Sequence, residues 1–183
     1  YSTLTAALRA ATNDCTIQLL ANIALDSTLS FAPDTAVNFT LDGAGFTISG
    51  GNFTLLSLGA NVTCTMKNIT FRNGDGGGTG TLDLAGADVT LETGAKIING
   101  ESVTTNNLGN SAYVGVSVSA SGSKLTINEG ALIDVAGTAL KSDGKKTSHI
   151  TINGGTVKTK NRGYIATTAD STFTINSGKM INT

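Results

Sequence analysis

Acidic and basic residues recur in this chain at a fixed interval, with Asp42, Lys67 and Glu92 standing 25 positions apart. Folding that brought them into one column would make an acid–base–acid triplet, the raw material for proton transfer or for an ionic ligand site. Sign alternation along a ladder also has a plainer role, because it avoids like-charge repulsion between stacked neighbours. The next members at the same position, Asn128, Asn153 and Asn176, continue the column as an amide ladder, and the structural role is the reading these residues favour. Glycoside hydrolysis requires two carboxylates converging across one bond, roughly 5 to 9.5 Å apart. Asp83 is followed in its column by Ser117, and Asp134 is expected to have Ile or neutral polar neighbours, so no carboxylate pair is indicated. Lyase chemistry would want clustered Asp for Ca²⁺ beside an Arg or Lys base, and Arg9, Arg72 and Arg162 do not fall beside an acidic cluster. His149, the one His, has no visible ligand partners. No catalytic, cofactor-binding or metal-ligating residue is assigned, and no cofactor is expected.

The spacing that places these residues comes from a repeat. Phe173-Thr174-Ile175-Asn176-Ser177-Gly178 is the last of six copies of one pattern, the others starting at Phe39, Cys64, Val89, Leu125 and Ile150. Their first residues lie 25, 25, 36, 25 and 23 positions apart, a period that signals stacked supersecondary units. Alternation of apolar and polar residues inside each copy has period two, and the copies are rich in β-branched residues, so each is a strand. Stacked at about 4.8 Å per step, the first apolar residues form an inner column, and Thr40, Thr65, Thr90, Thr126, Thr151 and Thr174 form an outer one. Two further strands per period can be picked out, one beginning near Phe46, Ile69, Ile97, Ile133, Val157 and Met180. The other comprises Leu55 to Leu58, Leu82 to Leu84, Val116 to Val118 and Tyr164 to Ala166. Three short strands and three bends per turn give a three-faced parallel β-solenoid of about six to seven rungs.

Residues 2–12 read as a helix, with Leu4, Ala7, Leu8 and Ala11 on one stripe and Ser2 or Thr3 as cap. Residues 1–13 are therefore expected to cover the first rung, since an uncovered stack exposes apolar side chains and unpaired backbone. Cys15-Thr16-Ile17 begins an additional copy 24 residues before Phe39. Cys64 would then lie two rungs on, about 9.6 Å at two strand spacings and beyond the roughly 7 Å Cα limit for a bridge. Two buried free thiols are expected, a bridge staying open only if the first rung is irregular. The 36-residue interval holds 11 extra residues, which map to a polar loop at 101–112 containing Asn106, Asn107 and Asn110, a candidate functional excursion. Asn73 to Gly80 reads as a Gly-rich bend. No capping element follows Met180-Ile181, which suggests a fragment of a longer protein or an end covered by another copy or a partner. A head-to-tail contact of unlike ends would propagate as a filament.

The chain's 183 residues are 39% hydrophobic but only 5% aromatic, with no Trp. That suits one domain with a narrow core of Val, Ile and Leu. A net charge of −1 with scattered basic residues leaves no electrostatic footprint for nucleic acid or an anionic membrane, and no apolar run reaches the length of a bilayer span. Sequons at Asn38, Asn52, Asn61 and Asn68 are of a kind that Thr-rich strands produce by chance.

Leu4-Thr5-Ala6-Ala7-Leu8, Thr16-Ile17-Gln18-Leu19, the Leu41-Asp42-Gly43-Ala44-Gly45-Phe46-Thr47-Ile48 segment and the Thr-Ile-Asn-x-Gly copies resemble the pectate-lyase-like superfamily. They look most like its non-catalytic branch of adhesin-like surface proteins. The likeness spans nearly the whole chain and is a pattern of fold. It implies a right-handed single-stranded parallel β-helix, an extracellular or cell-surface location, and a role as adhesin, stalk or filament subunit with a host or glycan ligand. The same superfamily holds polysaccharide lyases and hydrolases, which makes a carbohydrate-active or glycan-binding module the competing expectation. Regularly spaced Thr also resembles insect antifreeze proteins, but the companion column of Asn38, Thr63, Asp88, Lys124, His149 and Thr172 breaks the array with charge.

Overall fold

The structure, a computed structural model, describes residues 1–73, 80–100, 113–142, 146–165 and 170–183. After helix α1 (Leu4–Arg9) come β1 (Cys15–Gln18), β2 (Ile23–Ala24) and β3 (Leu29–Phe31), then β4 (Val37–Asp42), β5 (Thr47–Gly50) and β6 (Leu56–Gly59). The third turn is β7 (Val62–Lys67), β8 (Thr70–Asn73) and β9 (Gly80–Ala85), and the fourth is β10 (Asp88–Leu91), β11 (Lys96–Asn99) and β12 (Val114–Ala120). Then follow β13 (Ser123–Asn128), β14 (Leu132–Val135), β15 (Thr138–Ser142), β16 (Ser148–Thr159), β17 (Arg162–Ile165) and β18 (Thr172–Asn182). Every named strand pairing is parallel and joins a strand to its counterpart one turn away, giving a parallel β-solenoid of about six turns.

Three stacks result. The first is β1-β4-β7-β10-β13-β16-β18 and the second β2-β5-β8-β11-β14-β16-β18, while the third, β3-β6-β9-β12-β15-β17, forms a separate sheet. The register of the first is the one the repeat dictates: Cys15, Phe39, Cys64, Val89, Leu125, Ile150 and Phe173 are successive partners. The Thr at the next position in each strand forms the adjoining column. The inner members from Phe39 to Ile150 are buried, as are Ile48, Phe71, Ile97, Ile133 and Val157 of the second stack and Leu56, Leu82, Val116 and Leu140 of the third. Burying one such side chain is worth about 1.5–3 kcal/mol, so the shaft is held by many equal increments.

The bends obey backbone sterics. At the bend entering the first stack, Asn61, Gly86 and Gly122 occupy one column at φ of 67°, 104° and 82°. Gly reaches this left-handed region without penalty and Asn at a small one. Asn61 Nδ2 donates to the carbonyls of Pro33 and Asp34 at 3.2 and 3.3 Å, which ties its bend to the preceding turn.

Three expectations are corrected. The helix is shorter than residues 2–12, because the Thr3 hydroxyl accepts the Ala6 N–H at 3.2 Å, fixing the start, and Ala10 leaves helical geometry at ψ 5°. In the last turns, strands expected to be separated by a bend are continuous: β16 and β18 each run through both the first and the second stack. The third stack also has a member that alternation did not reveal, β15, whose five residues are all buried, which erases the period-two contrast. The Gly-rich bend at 74–79 and the polar loop at 101–112 lie outside the described residues. They are bracketed by β8 and β9, and by β11 and β12.

Candidate functional site

The outer side of the first stack carries three parallel columns of side chains, fixed by the register. The central Thr column is flanked on one side by Asn38, Thr63, Asp88, Lys124, His149 and Thr172. In this column Lys124 Nζ lies 3.7 Å from Asp88 Oδ2, His149 Nδ1 lies 3.0 Å from Thr172 Oγ1, and Asn38 Nδ2 donates to Asp14 Oδ1 at 3.1 Å.

On the other flank, Lys67 Nζ sits 3.4 Å from Asp42 Oδ2. The Ala44 N–H donates to Asp42 Oδ1 at 2.9 Å and holds this carboxyl below its ordinary pKa, with help from Asn68 and Lys67 and against the cost of desolvation. Glu92 is drawn to the rung above, accepting from Asn128 Nδ2 at 2.8 Å. Asn153 Nδ2 donates to Asn128 at 3.4 Å and Asn176 Nδ2 to Asn153 at 2.7 Å. The amide ladder therefore forms as expected, with Glu92 as its terminal acceptor. In the bend between the first two stacks, Gln18, Asp42, Asn68, Thr70 and Lys96 border an open groove of about 570 Å³. Asp42, the carboxylate lining it, is already engaged.

The third stack holds a cluster that the sequence showed only in part. Asp83 precedes Ser117 in its column, as expected; the structure adds Ser57 as the preceding member, and Ser119 joins them. Ser117 Oγ donates to Asp83 Oδ1 at 2.8 Å, while Ser57 and Ser119 donate to Oδ2 at 3.0 and 2.7 Å. A carboxylate that accepts three hydroxyl donors has little capacity left to serve as a general base toward a bound substrate. Lys141, next in the column after Ser117, is buried.

Asp134 departs from expectation. It has Ile98 on one side and Lys158, not a neutral residue, on the other, with Lys158 Nζ 3.7 Å from its Oδ2. The two residues stand 24 apart in adjacent turns. Cys15 and Cys64 are free, as expected, and are separated by Phe39 in their column, but only Cys64 is buried; Cys15, in the first turn, is half-buried. Burial raises the Cys64 thiol well above its ordinary range. Of the sequon asparagines, Asn61 and Asn68 sit at left-handed bends, and Asn38, Asn61 and Asn68 each direct the side-chain amide to a neighbouring turn. Asn52 lies in an exposed bend.

Among the described residues no group of three or more His, Cys, Asp or Glu is placed to hold a metal ion. No helix among them is long and apolar enough to cross a membrane. The outer faces can thus offer hydrogen-bonding hydroxyls and amides in a regular array, punctuated by ion pairs between adjoining turns. Comparison of the chain with protein-family models, curated proteins and solved structures gives no match.

Proposed function

We propose that this chain is a non-catalytic module of an extracellular, cell-surface β-helix, of the adhesin-like kind that its sequence resembles, serving as a stalk or as an adhesive face. The observation that supports this most directly is the state of the outer carboxylates. Asp42, Asp83, Asp88, Glu92 and Asp134 are each engaged by a side chain of an adjoining turn. Such groups set register and oppose slippage between turns. Acid–base catalysis would instead call for carboxylates facing each other across a gap that a substrate can enter.

A stalk needs stiffness, and a continuous buried shaft under parallel sheets provides it. An adhesive face needs a flat, regular set of donors and acceptors, which the Thr and Asn columns offer. The test pairs a glycan array with an assay for reducing ends and unsaturated uronates. Saturable binding without turnover supports an adhesive face, and neither binding nor turnover supports a stalk. Turnover of any uronic polysaccharide overturns the proposal in favour of a carbohydrate-active enzyme.

A further inference from the structure

The tripeptide Ile-Asn-Gly occurs twice, as Ile98-Asn99-Gly100 and as Ile152-Asn153-Gly154. In an Asn-Gly pair the Gly nitrogen lies within five-membered-ring reach of the Asn side-chain carbon, and Gly brings no Cβ to obstruct the approach. The fold gives the two copies opposite settings. Asn99 is 1% exposed, donates from Nδ2 to the Val114 carbonyl at 3.0 Å, and its Oδ1 accepts no hydrogen bond. Asn153 is exposed.

Asn153 stands where β16 leaves the first stack, and the register slips there. Asn128 of β13 faces both Asn153 and Gly154, and the register with β18 passes from Asn153 to Thr156, skipping Gly154. Such a bulge leaves its extra residue outside the ladder, and Gly154 occupies it at φ 128°. The amide ladder also bears on the Asn153 side chain from both sides. Asn176 Nδ2 donates to Asn153 Oδ1 at 2.7 Å, and Asn153 Nδ2 donates to Asn128 Oδ1 at 3.4 Å. The first bond polarises Cγ and sits where negative charge gathers during nucleophilic addition. The second directs the nitrogen that must leave toward the neighbouring turn.

We propose that Asn153 is a site of spontaneous modification, at which the Gly154 nitrogen closes on Asn153 Cγ. The N–Cγ bond forms as the Gly154 amide proton passes to solvent base, and the Cγ–Nδ2 bond breaks with Nδ2 leaving as ammonia. Water then opens the cyclic imide to aspartate or isoaspartate. The product places a carboxylate in the middle of the ladder. Asn176 keeps an acceptor, but Asn128 Oδ1 loses its donor, and the isoaspartate form adds one methylene to the main chain where β16 crosses between the first two stacks.

The test holds the folded chain in mildly alkaline buffer and follows the peptides carrying Asn153 and Asn99 by mass. A gain of one dalton marks conversion, and enzymatic methylation identifies isoaspartate. A buried amide reacts only through local opening, so Asn99 should lag Asn153 by more than about tenfold, the ratio that about 1.4 kcal/mol of opening free energy imposes. In guanidinium the two rates should converge, since both sites share the Ile-Asn-Gly sequence, which assigns the difference to the fold. Asn176→Ala, at an exposed position of the last strand, should slow conversion of Asn153 about two- to tenfold, the span of one neutral hydrogen bond. Survival of Asn153 in the folded chain over a time in which the unfolded chain converts overturns the proposal, as does conversion of Asn99 at the same rate. Unchanged or faster conversion in Asn176→Ala overturns the role given to Asn176, a faster rate making the ladder a clamp on Asn153.

Discussion

Replacing Phe71 by Ala interrogates the shaft at one of its fully enclosed positions. Phe71 is fully buried in the second stack, with Ile48 on one side and Ile97 on the other. A buried Phe removes about 150–250 Å² from water, which at about 25 cal/mol per Å² is some 4–6 kcal/mol as an upper bound. Part of that burial is kept by the remaining Cβ, and the turns above and below limit collapse of the hole, so a loss of about 3–5 kcal/mol is expected. The readout is equilibrium guanidinium denaturation followed by far-UV circular dichroism, with Thr63→Ala on the exposed outer column as the reference, expected within about 0.5 kcal/mol of the parent. Coupling sharpens the test. Ile97→Val touches Phe71 directly and should show an interaction energy of about 0.5–3 kcal/mol with Phe71→Ala. Val157→Ala lies three steps along the same column, about 14 Å away at strand spacing, and should add to Phe71→Ala within about 0.5 kcal/mol. A loss below about 1 kcal/mol for Phe71→Ala would refute this reasoning, as would coupling to Val157 as strong as to Ile97.

Three further outcomes follow from the geometry. The Asp42 carboxyl should titrate below the ordinary value of about 3.9 in an NMR titration. Because its folded-state pKa is depressed, its stabilising contribution is complete above the unfolded value and drains away as pH falls through the folded one; Asp42→Asn should therefore flatten the acid limb of stability below about pH 4. Cys64 has the opposite sense: its folded-state pKa is raised by burial, so its contribution is intact below the unfolded value of about 8.5 and is lost as pH rises above it. Cys64→Val should accordingly reduce the alkaline slope of stability. A Cβ at Gly43 would strike the backbone carbonyl of Asn68 and the Cα of Ile69, whereas one at Gly51 would meet only the Phe53 ring at 3.5 Å. Gly43→Ala should cost about 1–3 kcal/mol and Gly51→Ala within about 0.5 kcal/mol of nothing, measured by thermal denaturation.

The repeat was legible because its signal is local. Apolar residues two apart, such as Val89 and Leu91, state which side of a strand is inward. An interval of 25 states which residue stacks on which, so the partnership of Val89 with Cys64 could be written down from spacing alone. The ladder from Glu92 through Asn128 to Asn176 followed from the same arithmetic. Strand β15 was not legible, because Thr138 to Ser142 are buried on both sides and carry no alternation to detect. The Asp134–Lys158 pair spans 24 residues, one short of the commonest interval, and lies on an outward column that alternation of apolar residues does not mark.

The sequence by itself determined the approximate number of turns, the register of the first stack and the inner columns of the first two stacks, since each is written in short-range alternation and a near-regular period. The tertiary structure alone decided how the helix rests on the first turn, where the first and second stacks fuse into β16 and β18, and that Asp83 is clasped by three hydroxyls. Those features depend on how far apart separately folded segments come to rest. That distance is set by packing of the whole shaft, and no local pattern records it.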